Sequence, residues 1–155
     1  MTAPPPARPD DPADPPAPSP EAQRFGHARQ AQSRALLEDY TEVIDDLTAL
    51  HGEARITDIA GHFGVTHPTA TKAVARLKRE GLAVSRPYRG VFLTESGKAM
   101  AAAARARHRV VVDLLLALGV PAEVAETDAE GIEHHVSDET LAAFDRFLAR
   151  GERRA

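Results

Sequence analysis

The densest chemistry in this 155-residue chain lies in Asp128-Ala129-Glu130-Gly131-Ile132-Glu133-His134-His135. On a helix, Glu130, Glu133 and His134 stand at i, i+3 and i+4, so their side chains share one face and can converge on a single cation. His135, at i+5, is rotated about 140° from Glu130 by the 3.6-residue repeat, which makes His134 the better candidate ligand. Asp39 and Glu42 repeat the i, i+3 spacing far upstream, and His108 adds an imidazole within an Ala/Arg stretch. Carboxylates and imidazoles, in a chain without cysteine, suit one or two hexacoordinate divalent ions of hard or borderline character. Taken singly, an Asp-x-x-Glu pair is ordinarily a solvated helix face, and a lone histidine is an ordinary surface residue. The weight of the pattern is in its combination.

These side chains must be positioned by helices. From Ala35 to Leu50, apolar residues fall at Leu36, Leu37, Tyr40, Val43, Ile44, Leu47 and Leu50, a helical stripe that stops at Gly52 and carries Asp39 and Glu42 off its apolar face. A second helix is expected over Ile56 to Phe63, closed by Gly64. A third, capped by Thr66 with Pro68 in its first turn, runs to about Glu80. Leu82-Ala83-Val84 and Val91-Phe92-Leu93 read as a hairpin. Thr94 can cap a long alanine-rich helix from Glu95 to Leu118 that carries His108 and ends at Gly119 and Pro121. A further helix is expected from Pro121 to about His135, and a last one, capped by Ser137, to near Arg150.

The second and third helices have the small and apolar residues that a helix-turn-helix requires at its crossing: Ile59, Ala60 and Phe63 before Gly64, then Val65, Ala70, Ala73 and Leu77. The third helix leaves Thr66, His67, Pro68, Thr69, Thr71, Lys72 and Arg76 as candidate contacts to bases and phosphates. Arg86 and Arg89, beside Tyr88 on the hairpin, are placed as a wing that grips the backbone. The net charge of −4 hides a segregation: Arg55 to Gly90 holds seven Lys and Arg against two acids, and Asp113 to Glu139 holds eight acids and no Lys or Arg. The basic segment can face double-stranded DNA. The plainer alternative is a solvated basic face on a protein-binding module.

Nine of the twelve prolines lie in the first twenty residues, which cannot bury enough apolar surface to offset ordering. The expected organisation is a disordered Pro-rich tail over residues 1–24, a winged helix-turn-helix over 25–95 and a helical metal-binding and dimerisation domain over 96–155. The fold class is mainly α with a small β-hairpin wing. The opening segment has no apolar signal region, and Val110 to Val120 is interrupted by Asp113 and too short to span a bilayer, so no membrane association and a cytoplasmic location are expected. Two other classes fit parts of the pattern. One is a metal-independent winged-helix regulator of a small organic ligand. The other is a metallohydrolase, which no nucleophile motif supports, so no enzymatic activity is expected.

The residues from about Leu36 to Phe147 resemble the diphtheria-toxin-repressor family, and within it the manganese-responsive regulators. The resemblance is carried by Glu38-Asp39-Tyr40, the helix-turn-helix with Pro68 and Lys72, Tyr88-Arg89-Gly90-Val91-Phe92-Leu93-Thr94, Arg107-His108 and Glu130-Gly131-Ile132-Glu133-His134-His135. It implies that Asp39, Glu42, His108, Glu130, Glu133 and His134 ligate a pair of Mn(II) ions, with Fe(II) or another divalent ion as the alternative. Oxygen at Asp39 and Glu130, where iron-type members have sulfur-containing groups, points to the manganese branch. The resemblance also implies a homodimer on a pseudo-palindromic operator, acting as a repressor of manganese uptake genes, and the absence of the SH3-like third domain of iron-type members.

Overall fold

The computed structural model describes residues 19–86 and 89–152. Helix α1 (Pro20–His51) is far longer than the expected Ala35–Leu50 segment, and residues 20–24, assigned above to the Pro-rich tail, are helical. The reason is local: Ser19 caps the helix by accepting from the Ala22 amide, Pro20 occupies the first turn and Glu21 follows it. Once nucleated, a Gln-, Ala- and Arg-bearing segment can propagate without an apolar stripe. Gly52, at φ 77°, ends α1 by donating to the Thr48 carbonyl. The expected disorder of residues 1–18 and the side chains of Pro87 and Tyr88 lie outside the described residues.

Helices α2 (Ile56–Phe63) and α3 (His67–Arg79) flank Gly64, which sits at φ 61°. They pack with α1 and the hairpin around Tyr40, Ile44, Ile59, Ala60, Ala70, Val74, Leu77, Leu82 and Val91. Tyr40 stacks on Phe63 at 4.2 Å between ring centroids. Strands β1 (Ala83–Ser85) and β2 (Val91–Leu93) are antiparallel, with Val84 opposite Phe92. An isolated bridge from Val91 to Ala54 ties the hairpin to the segment after α1, where the Val91 amide donates to the Ala54 carbonyl at 2.7 Å. That close approach requires Gly90, because a Cβ there would stand 2.4 Å from the Ala54 carbonyl oxygen.

Helix α4 (Glu95–Ala117) begins at Thr94, whose hydroxyl accepts from Gly97 and donates to the Gly81 carbonyl, joining the base of the wing to the long helix. It lies against α1 on one side and α5 (Ala122–Ile132) and α6 (Asp138–Glu152) on the other. A second, smaller core gathers Val111, Val112 and Ala129 with Leu115, Ile132 and Leu141. The arrangement leaves Leu116, Leu118, Val124 and Phe147 exposed around that core. Among the described residues, no helix is long and apolar enough to cross a membrane.

Candidate metal centre and nucleic-acid interface

The Glu130, Glu133 and His134 cluster does not follow the helical face expected for it. Helix α5 stops at Ile132, Glu133 is its C-cap, and His134 and His135 belong to the turn that leads to Ser137. Carbonyls at a helix end need donors, and Arg107 of α4 supplies them: its guanidinium reaches the carbonyls of Glu133 at 3.0 Å and Val136 at 2.7 Å, and the Asp138 carboxylate at 2.7 Å. The chain therefore turns after Glu133, and Glu133 and His134 point to different neighbours.

Glu130 and Glu133 converge on His108 of α4, and one ligand atom from each of these three residues lies within 4.8 Å of the others. His108 Nδ1 is 2.6 Å from Glu133 Oε2 and 3.7 Å from Glu130 Oε1, and its Nε2 is 2.9 Å from Glu126 Oε2. His134 instead faces α1, with Nε2 3.0 Å from Asp39 Oδ1 and Nδ1 3.0 Å from Glu38 Oε2. Glu133 also approaches His134, at 3.6 Å from Oε1 to Nε2. Asp39, Glu42, His108, Glu130 and Glu133 line one cleft of about 430 Å³ between α1, α4 and α5, together with Glu126 and Arg105.

So many acids in one place disturb their own ionisation. Burial, followed by the charge of Glu133, pushes the Glu42 carboxyl up to about 7, against the pull of Arg105. Burial also raises Glu133, although His108 opposes it. At His108, burial favours the neutral ring, but the hydrogen bonds to Glu126 and Glu133 outweigh it and the imidazolium is favoured. Hydrogen bonds to Asp39 and then Glu38 hold His134 protonated up to about 10. The cluster thus carries protons where a cation would relieve the same repulsion. Its donor set is entirely carboxylate and imidazole, and a hard or borderline divalent ion fits it.

Sequence reasoning overlooked four contributors. Glu126 lies one turn before Glu130, a spacing that could have revealed it. Glu38 is 4% exposed and hidden beside Asp39 in an acidic run. Arg105 spans from α4 to Asp45 at 2.7 Å and Asp46 at 2.6 Å on α1, and Arg107 shapes the turn; neither had a signal beyond its place near His108.

Within the helix-turn-helix, α3 exposes His67, Pro68, Thr69, Thr71 and Lys72. The Thr66 hydroxyl caps α3 and lies 2.9 Å from the Thr69 hydroxyl, while Thr71 donates to the His67 carbonyl. Arg76 is turned away from this group and donates to the Ser33 hydroxyl of α1 at 2.5 Å. At the wing, the guanidinium groups of Arg86 and Arg89 lie 4.8 and 5.5 Å from the centroid of the Phe92 ring. Glu53 supports the same hairpin by accepting from the Gly90 amide and pairing with Arg89 at 3.6 Å.

Comparison with known proteins follows this division. Residues 35–91 match the family model "Iron dependent repressor, N-terminal DNA binding domain", and residues 94–154 match "Iron dependent repressor, metal binding and dimerisation domain". The chain belongs to the iron-dependent repressor family. Members of this repressor family are metal-dependent transcriptional regulators, and the two matches support DNA binding, divalent-metal binding and dimerisation here. The chain is 50% identical over 126 residues to the transcriptional regulator MntR of Escherichia coli, covering 81% of each protein. It is 38% identical over 101 residues to the HTH-type transcriptional regulator MntR of Bacillus subtilis, covering 65% of this chain and 71% of that one. Among solved structures, it resembles a manganese-dependent transcriptional repressor in complex with manganese, with a TM-score of 0.62, 32% identity, and coverage of 73% of this chain and 52% of that one. It also resembles the manganese regulator SloR, with a TM-score of 0.64, 30% identity, and coverage of 73% and 53%. This repressor-family chain spans about half the length of those two solved proteins.

Proposed function

We propose that the chain is a Mn(II)-activated repressor of manganese uptake genes, a homodimer that binds a pseudo-palindromic operator. The observation that carries this reading is the convergence of Asp39 and Glu42 from α1, His108 from α4, and Glu130, Glu133 and His134 from α5 and its turn, all oxygen or imidazole donors. The names of the relatives, MntR above all, agree with manganese. In this reading, residues 25–95 engage DNA and supply Asp39 and Glu42, and residues 96–155 dimerise and supply the other four metal ligands. These six side chains would hold two Mn(II) ions per subunit, and the two oxygens of Glu133 face His108 and His134.

A bound divalent ion supplies the positive charge that lets these carboxylates remain ionised side by side. Asp39 and Glu42 then fix α1, and with it the helix-turn-helix, to α4 and α5. Fixing that spacing favours the dimer geometry that fits two successive major grooves, a population shift set by the difference in metal affinity between conformations. His67, Thr69, Thr71 and Lys72 face base edges and phosphates, with Thr66 and Pro68 shaping the start of α3, and Arg86 and Arg89 grip the backbone. Arg76, which reaches Ser33, is the weakest of the DNA contacts expected from sequence.

An Fe(II)-responsive regulator is the second reading, because Fe(II) accepts the same donors and the matching family models describe iron-dependent repressors. The deciding experiment measures affinity for a manganese-uptake promoter fragment against Mn, Fe, Co and Zn concentration. Tightening by Mn(II) at the lowest free concentration supports the proposal. Tightening by Fe(II) alone replaces it with the second reading, and no response to any metal sinks both.

A further inference from the structure

We propose that Glu38 is a positioning residue of the metal centre: its carboxylate accepts a hydrogen bond from the Nδ1–H of His134 and thereby presents Nε2, the nitrogen beside Asp39 and Glu133, as the metal-facing atom. The inference rests on the metal-sensor reading above.

Glu38 is a buried carboxylate with both oxygens committed. Its Oε2 lies 3.0 Å from His134 Nδ1, and its Oε1 accepts from Arg34 Nε at 2.7 Å. A carboxylate held in this way is poorly placed to ligate an ion and well placed to orient a ring. Neighbouring residues on a helix project about 100° apart, so Glu38 and Asp39 straddle the imidazole, one at each ring nitrogen. His134 needs such a guide because it lies in the turn beyond α5, where no helical backbone sets its direction. The ring is only 8% exposed, and Nε2 is within 3.0 Å of Asp39 and 3.6 Å of Glu133, both proposed ligands. A metal-bound histidine that donates its other N–H to a carboxylate is a general means of fixing the tautomer and raising ligand basicity. Arg34, one turn before Glu38 and mostly exposed, holds the outer oxygen and extends the chain of contacts into the N-terminal half of α1.

The test uses the full chain labelled with ¹⁵N and loaded with ¹¹³Cd(II) for long-range ¹H–¹⁵N spectra, with Mn(II) titration calorimetry alongside. The expected result is cadmium coupling to His134 Nε2 with the proton on Nδ1. Glu38→Ala should lower Mn(II) affinity about 10–100-fold, the range for such outer partners. Glu38→Gln, which keeps an acceptor for Nδ1–H, should recover most of that loss. Coupling to Nδ1 in the unaltered chain overturns the proposal, and so does an alanine variant that binds Mn(II) as tightly as the parent. The cadmium spectrum of the unaltered chain decides the matter even if the alanine variant fails to fold. Absence of stoichiometric Mn(II) binding by the parent overturns the sensor reading itself, and this inference with it.

Discussion

Glu133 reaches two histidines, with Oε2 2.6 Å from His108 Nδ1 and Oε1 3.6 Å from His134 Nε2. Truncation at this one position therefore touches both halves of the cluster. Glu133→Ala is expected to lower Mn(II) affinity by more than about 100-fold, beyond the range seen for outer partners, and to abolish Mn(II)-dependent binding to promoter DNA. Circular dichroism should remain native in shape. Calorimetry showing unchanged metal affinity would remove Glu133 from the ligand set.

The buried Glu42 makes metal binding compete with protons. Its carboxyl is raised to about 7, first by burial and then by Glu133. A carboxyl raised on folding contributes its stability while protonated. That contribution is full below the ordinary value of 4.5 and is lost as pH rises through about 7. The metal-free protein should therefore lose thermal stability between about pH 5 and about pH 7, and Mn(II) affinity should climb over the same interval as the proton leaves. Glu42→Gln should flatten the metal-free stability profile across this window. A profile unchanged by that substitution would refute the assignment.

The two small-residue contacts at the wing make different demands. A Cβ at Gly97 would stand 2.0 Å from the Leu82 carbonyl oxygen, and the clash is with backbone that cannot rotate aside. Gly97→Ala is expected to cost about 1–3 kcal/mol or more, as overpacking does, read as a lowered denaturation midpoint. Gly90→Ala should displace the hairpin from Ala54 and weaken DNA affinity more than it lowers global stability.

Arg76 and Lys72 lie one turn apart on α3 but face different surroundings. Lys72 is exposed, whereas Arg76 is anchored on Ser33. Lys72→Ala should reduce the salt dependence of DNA binding by about one unit of slope, the signature of a lost phosphate contact. Arg76→Ala should leave that slope nearly intact and lower thermal stability instead. The opposite pattern, measured by fluorescence anisotropy across a salt series, would show that Arg76 leaves Ser33 to meet DNA.

The parts of the fold that announce themselves by periodicity and punctuation were readable in sequence. Gly64, Thr66 and Thr94 mark α2, α3 and α4 within a residue or two of their ends, because caps and left-handed glycines are local requirements. The N-terminal half of α1 was not readable, since nothing in its polar run distinguishes a propagated helix from a loop. The end of α5 was misjudged for a different reason: the Glu-x-x-Glu-His spacing fits a helix, but Arg107, distant in sequence, draws off the carbonyls that would continue it. Spacing proposed the six candidate ligands, but it could not place His134 against α1 or reveal Glu38 behind it.

Helix α1 runs unbroken from Pro20 to His51, which makes it a rod about 48 Å long at 1.5 Å per residue. The rod carries Ser33 against α3, Asp39 and Glu42 in the acidic cleft, and Tyr40 and Ile44 in the core of the helix-turn-helix. The sensing and reading parts are consequently not joined by a linker that could absorb movement. The reading helix packs on the same rod that carries Asp39 and Glu42. In this molecule the measuring element and the transmitting element are one piece.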